Sequence, residues 1–331
     1  MWDKEKASLP YAKRNLSLQP KRATTKTMSK FINPFTDYGF KLIFGRAVSK
    51  DLLIEFLNDL LEGERVITDL TFLNNEQLPD YPEGRGIIYD VYCTTDTGEK
   101  IIVEMQNRMQ SNFKERSIFY LSRAIVNQGR TGHDWKFEIK AVYGVFLMNF
   151  IMDKNIKLRT DVILADKETG ELFSEKFRQI FIALPLFKKS EEECETNFER
   201  WIYILNNMET LKRLPFKARK AVFEKLEEIA DVASMSPKER ELYDNSVKVY
   251  RDYLVKMDAA EKEGIKKGMK EGMKEGLKKG LEEGLEEGLK KGREEALNIF
   301  QTAIDMKKQG IDNQLIAEKT GLPLSLIESL K

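Results

Sequence analysis

The stretch GIIYDVYCTTDTGEKIIVEMQ, residues 86–106, constrains the fold more tightly than any other part of the chain. Ile87, Tyr89, Val91 and Cys93 alternate on one side of a first strand, and Ile101, Val103 and Met105 do so on a second. Asp96-Thr97-Gly98 supplies the turn, with Gly98 suited to a left-handed conformation at its end. If the loop closes between Thr95 and Glu99, Asp90 sits directly opposite Glu104, with Gln106 two residues on along the same face. A loop one residue shorter would send the two acids to opposite faces unless a bulge corrected it.

Directly opposed side chains in an antiparallel pair have Cβ atoms about 4.5–5.5 Å apart, and like charges there are destabilising. At ~5 Å and an effective dielectric near ~20 the repulsion is roughly 3 kcal/mol. Either one acid stays protonated through a raised pKa, or a cation sits between them. A hard divalent ion such as Mg²⁺ takes a few carboxylate oxygens and keeps its waters. The alternative is that both acids face solvent, where they cost little.

A chain of 331 residues has room for two domains, or for one domain with appendages. Apolar residues at 41% can build a core, and a net charge of +1 does not announce a nucleic-acid partner, although a local basic face balanced elsewhere would still serve one. Two cysteines, Cys93 and Cys194, and one histidine, His133, cannot form a zinc site of the His/Cys type. They also exclude a disulfide framework, which suits a reducing cytoplasm. His133 falls in a turn-like segment and reads as a surface residue. No apolar run approaches the ~18 residues that span a membrane.

Composition and periodicity divide the chain further. Residues 1–30 hold eight Lys or Arg against two acids with no periodicity, which reads as a flexible basic arm. Residues 31–190 read as the main domain. In it SKDLLIEFLNDLLEG is a helix with Ser49 as N-cap and Gly63 as its stop, and RVITDLTFLN (65–74) is a strand. The hairpin follows, then a helix over 112–129 and a continuously apolar strand at 139–150, buried on both faces. TDVILAD and FRQIFIALPLF form a further strand pair. Residues 191–260 read as accessory amphipathic helices broken near Pro215 and Pro237.

Between residues 261 and 293 eight glycines recur every fourth position, from Gly264 to Gly292, each followed by Ile, Met, Leu or finally Arg293. Glycine costs a helix about 1 kcal/mol relative to Ala, so an isolated helix here is penalised by roughly 8 kcal/mol. A period of four drifts about 40° per repeat, so the apolar stripe winds around the helix. Close packing between chains, as a homo-oligomer, and a flexible charged linker both fit. Residues 294–331 read as a small helical module. Its last segment has helix-turn-helix spacing, but the second helix lacks the basic residues of a groove reader.

FTDYGFKLIFG, Asp90 in IIYDVYC, IIVEMQ and ERSIFYLSRAI, in this order, closely resemble the recombination-promoting nuclease (Rpn) family. Its members are also described as transposases, within the PD-(D/E)XK nuclease superfamily. The resemblance covers about residues 31 to 260. It implies an α/β fold with a restriction-endonuclease-like core of αβββαβ order, a mixed central sheet and an α-helical C-terminal extension. It implies Asp90 and Glu104 as ligands of Mg²⁺ or Mn²⁺, with Asp37 a possible third carboxylate or else a surface partner of Lys41. Gln106 stands where most of the superfamily has Lys. Gln orients a water but carries no charge, and Lys41 or a second metal ion is the candidate source of what is missing. Arg116 and Tyr120, one helical turn apart, either hold the DNA backbone or pack their helix on the sheet. The implied activity is metal-dependent hydrolysis of DNA phosphodiesters.

Overall fold

Every residue of Val142–Met148 is buried, and this strand is the spine of a sheet covered on both faces. The computed structural model describes residues 29–78, 86–130, 135–216 and 220–330. The expected basic arm lies outside the described residues except for its last two positions, and His133 lies outside them too. The chain divides after Arg251 into two compact units.

In the first unit the helices are α1 (Asp37–Phe44), α2 (Lys50–Leu60), α3 (Phe113–Val126), α4 (Asn197–Asn207), α5 (Val222–Ala230) and the start of α6 (Pro237–Lys308). The strands are β1 (Leu70–Phe72), β2 (Glu76–Gln77), β3 (Ile87–Ile88), β4 (Val91–Thr95), β5 (Lys100–Gln106), β6 (Val142–Met148), β7 (Arg159–Ala165) and β8 (Leu172–Ala183). Six of them form one sheet in the order β1-β4-β5-β6-β8-β7. β1, β4 and β5 run antiparallel, β5, β6 and β8 parallel, and β7 closes the edge antiparallel to β8. The central sheet is therefore mixed, and the core reads α, three strands, α, strand.

The odd-numbered side chains of β5, Ile101, Val103 and Met105, face α1, α2, α4 and α5. On that side Trp201 packs its ring 6.0 Å from Phe44, 5.8 Å from Phe56 and 5.1 Å from Phe223. The even-numbered Ile102 faces α3, whose Phe113, Leu121 and Ala124 meet Phe146 and Phe181. Gly144 lets α3 approach: a Cβ there would lie 2.5 Å from Leu121 Cδ1. Gln179 Nε2 donates to Ser117 Oγ (2.9 Å) and ties β8 to the same helix.

Three local expectations change. Only Leu70–Phe72 of the 65–74 strand joins the sheet, because Asn58 takes the ladder's place for Ile67, accepting from its N–H (2.7 Å) and donating to its carbonyl (2.9 Å). Ser49 precedes α2 without capping it; its hydroxyl donates back to the Arg46 carbonyl (3.2 Å) in a 3₁₀ turn. The first hairpin strand is not continuous. It breaks at Tyr89-Asp90, and β3 leaves the main sheet to pair with β2.

The hairpin loop closes as its sequence requires: Thr95 N–H bonds the Glu99 carbonyl (2.9 Å), and Gly98 takes φ +94°. Glu99 is buried in this turn. Burial pushes its carboxyl up, but hydrogen bonds from Thr95 and Thr97 and the charge of Arg65 outweigh it and hold the pKa at about 2. The stabilisation is thus complete above the ordinary value near ~4.5 and is lost as pH falls towards ~2. Glu99→Gln is expected to cost about 2–3 kcal/mol at pH 7 and almost nothing near pH ~2, read by denaturant melts at the two pH values.

In the second unit the remainder of α6 carries the glycine repeat as helix, followed by α7 (Asn313–Thr320) and α8 (Leu324–Ser329). Gly321 at φ +72° ends α7. Ala303, Ile316 and Ile327 form a small core, and Lys307 Nζ donates to the carbonyls of Ile327 (2.5 Å) and Leu330 (2.8 Å) at the end of α8.

Candidate active site

Val91 pairs with Val103 and Cys93 with Ile101, so Asp90 and Glu104 stand opposite each other one step beyond the end of β4. Beside them the strand carries a bulge. Leu73 N–H bonds the Tyr92 carbonyl (2.8 Å), but two residues later on that strand the partner is Tyr89, whose N–H bonds the Asn75 carbonyl (3.0 Å). Three residues on one strand span two on the other, and the extra one puts both Tyr89 and Tyr92 on the α3 side while Val91 faces the opposite core. Asn75 Nδ2 steadies the bulge through the Asp90 carbonyl (3.0 Å).

Freed from the ladder, the backbone of each strand serves the other's acid. Asp90 N–H donates to Glu104 Oε1 (3.0 Å), and Met105 N–H donates to Asp90 Oδ2 (2.9 Å). Gln106 Nε2 donates to Glu104 Oε2 (3.0 Å). Glu104 is only 2% exposed and Gln106 8%, while Asp90 is half-buried at the rim, so Glu104 at least does not face solvent. Burial, and then the charge of Asp90, push the Glu104 carboxyl well above its usual range. Asp90 is raised too, chiefly by burial, against the lowering effects of the Met105 N–H, Lys41 and Arg116.

Lys41 and Asp37, on α1, lie near enough to act on the Asp90 charge. They bind each other at 2.7 Å across one helical turn, with the Asp37 side chain 67% exposed. Among the described residues no group of three or more His, Cys, Asp or Glu gathers into a metal-sized cluster, so Asp37 stands with Lys41 and apart from the two facing acids. Arg116, on α3, acts on both acids, lies 5.2 Å over the Tyr120 ring and donates from Nη1 to Gln110 Oε1 (2.8 Å). Tyr120 adjoins the same charges, and burial followed by the Glu104 charge raises its phenol.

Sequence reasoning passed over Tyr89, whose hydroxyl donates to the Tyr120 carbonyl (3.0 Å) while its ring packs edge-on against Tyr120. It also passed over Asn107, whose Nδ2 donates to the Phe35 carbonyl (2.6 Å) and ties the end of β5 to the segment entering α1. The Asn74-Asn75 pair just after β1 was the available signal for the bulge.

The donor set suits a hard divalent cation: two carboxylates that cannot both ionise cheaply side by side, each with an oxygen lone pair to spare. Mg²⁺ is commonly held by one or two carboxylates while it keeps several waters.

A mixed sheet in αβββαβ order, with facing acids on its central antiparallel strands, is the restriction-endonuclease-like architecture. The chain belongs to the PD-(D/E)XK nuclease family transposases, whose family model matches residues 34–260. No curated protein and no solved structure matches it. Its function is accordingly of the nuclease or transposase kind, and PD-(D/E)XK nucleases generally use divalent metal ions. Among the described residues no helix is long and apolar enough to cross a membrane.

Proposed function

We propose that the protein is a cytoplasmic, metal-dependent DNA endonuclease that hydrolyses phosphodiester bonds and promotes recombination. The observation that carries this reading is the facing, mutually repelling pair of carboxylates, buried Glu104 and half-buried Asp90, each held by the other strand's backbone. These two residues would hold Mg²⁺ or Mn²⁺. When bound, the ion supplies Lewis acidity to a phosphate oxygen and acidifies a water. Asp37 joins the ligands only by releasing Lys41.

The protein's own groups divide the remaining work. Lys41 supplies the positive charge that position 106 lacks, offsetting charge on the phosphate. Gln106 holds Glu104 through its Nε2 and so fixes the carboxylate's orientation; a Lys there would repeat the contact with a charge added. Arg116, stacked on Tyr120, takes a backbone phosphate beside the acids. The neutral Gln106 also favours a second reading, a non-catalytic DNA-binding protein that keeps the nuclease fold.

Nicking of supercoiled plasmid with Mg²⁺, Mn²⁺ or EDTA, beside Asp90→Ala, separates the two. Metal-requiring cleavage that disappears in the variant is the expected result. Cleavage equal in both proteins means a contaminant. No cleavage by either, with no heat of metal binding, overturns the endonuclease.

A further inference from the structure

We propose that the cleft at the N-terminal ends of β5, β6 and β8 binds single-stranded DNA, with bases stacked on Trp135 and Phe137 and the backbone held by Lys100, Lys140 and Lys176. The cleft measures about 970 Å³, at the upper end of ligand pockets. It lies at the opposite end of β5 from Gln106: Lys100 and Glu104 are four residues apart on that strand, roughly 13 Å. The cleft is therefore separate from the two facing acids, and it rests on the endonuclease reading only for the choice of DNA as ligand.

The aromatic wall has no place in either core. Trp135 and Phe137 pack on each other, ring centroids 4.6 Å apart, and Phe137 is 76% exposed. Both stand outside the hydrophobic clusters on the two faces of the sheet. Phe137 also takes φ +58°, a left-handed conformation that is costly for a residue with a Cβ and recurs at ligand sites. The turn is held beyond it: Ile139 N–H donates to the Phe137 carbonyl (2.9 Å), and Lys140 N–H donates to Gln128 Oε1 (2.8 Å). Folding gives no reason to hold an exposed ring in a strained turn, whereas a flat ligand stacked on it does.

The rest of the lining says which flat ligand. Lys100, Arg130, Lys140 and Lys176 surround the rings against a single acid, Glu138. Among the described residues none of the four cations has a salt-bridge partner. Lys100 stands in register with Val142, and Val142 with Phe177, so Lys100, Lys140 and Lys176 mark the starts of three neighbouring parallel strands. At ~4.8 Å per strand they spread over about 10 Å, a row that tracks a chain of phosphates and not one phosphate group. A Cβ at Gly98 would lie 3.3 Å from Lys140 Cε, so the Lys140 stem runs along the hairpin turn. The C-terminal carbonyls of α3, which would repel phosphate, are already taken. Those of Arg123, Ile125 and Val126 accept the N–H groups of Asn127, Gln128 and Gly129, and that of Ala124 accepts Gln128 Nε2 (3.3 Å). Aromatic faces inside a basic groove hold single strands without sequence preference. A duplex keeps its bases stacked and offers none to the rings.

The test is binding of an end-labelled oligo-dT of about 12 nucleotides to the full chain in EDTA, read by anisotropy and by tryptophan emission, so that no cleavage is needed. The oligonucleotide is expected to bind and to quench Trp135. Trp135→Phe keeps a ring, so it should lose the quench and retain most of the affinity. Phe137→Gly removes a ring and relieves the left-handed backbone, so it should stay folded and bind roughly 5–100-fold more weakly. Lys140→Gln/Lys176→Gln should reduce the slope of log affinity against log salt by about 1.4, two phosphates at ~0.7 each. A blunt duplex that suffers equal losses, dTMP that binds as tightly as the oligonucleotide, or affinity unmoved by Phe137→Gly and by the lysine pair would each overturn the proposal. Binding that depends on Phe137 in a protein that nicks no plasmid would keep this cleft and remove only the endonuclease. Plasmid nicking beside oligonucleotide binding indifferent to Phe137 would do the reverse.

Discussion

Glu104→Gln is expected to abolish cleavage and, at the same time, to make the metal-free protein more stable. The two effects share one cause. Glu104 is buried opposite Asp90 in a position where both acids cannot be charged without cost, and its carboxyl is pushed well above the usual range first by burial and then by the Asp90 charge. A group whose folded pKa is raised lowers stability as pH climbs from its unfolded value towards the folded one. Gln keeps the shape: its carbonyl oxygen still accepts the Asp90 N–H, and Gln106 turns its amide to present oxygen to the new NH₂. Removing the charge should stabilise the metal-free protein by about 1–3 kcal/mol at pH 7 to 8. The gain should vanish below pH ~4.5, where Glu104 is protonated in either state. Mg²⁺ should raise the melting temperature of the unchanged protein and leave that of the variant where it was. Nicking should fall by at least about 10²–10³-fold. A variant that is less stable without metal at pH 7 would mean that Glu104 is a structural hydrogen-bond acceptor and not a strained ligand.

How much of this was legible beforehand follows the range of the interactions. The facing of Asp90 and Glu104 depends only on loop length and a period of two, both local, and the turn at Gly98 set them correctly. The buried run at 142–148 declared a central strand by composition alone. The bulge did not show, because Ile87, Tyr89, Val91 and Cys93 alternate faultlessly. It is the partner strand, through Asn75, that forces the extra residue and turns Tyr89 towards α3. The same limit hid the fate of residues 65–69, whose backbone is satisfied by Asn58 on α2. Lys41 and Asp37 could be read as a pair four residues apart, but whether Asp37 turns to the acids depends on where α1 docks, and periodicity carries no information on that. A charge on a helix surface is placed by its neighbours in space, and sequence gives only its neighbours along the chain.

Docking of α1 makes Gly39 the most demanding glycine of the first unit among the described residues. A Cβ there would lie 2.2 Å from the Asn33 carbonyl oxygen and 2.7 Å from Thr36 Oγ1. Neither can retreat. Thr36 caps α1 by accepting the Gly39 N–H (3.0 Å) while it donates to the Asn33 carbonyl (2.8 Å). Asn33 is held in turn by Tyr243, whose hydroxyl accepts its N–H (2.8 Å), and by Glu209, which accepts from Nδ2 (2.8 Å). Gly39→Ala therefore has to break the cap or move α1. The gain in helix propensity, about 1 kcal/mol, is too small to offset a collision with backbone, and the net cost should be about 3 kcal/mol, or a fall of roughly 6–12 °C in melting temperature for a unit of this size. Gly45→Ala at the other end of α1 is the control: its Cβ would approach nothing closer than 3.1 Å, so its cost should be below about 1 kcal/mol. Because α1 carries Lys41 towards Asp90, protein with Gly39→Ala that remains folded should also nick DNA more slowly than Gly45→Ala protein does. Equal melting temperatures for the two variants would mean that the Asn33–Thr36 turn yields freely, and that α1 is not fixed over the acids by this contact.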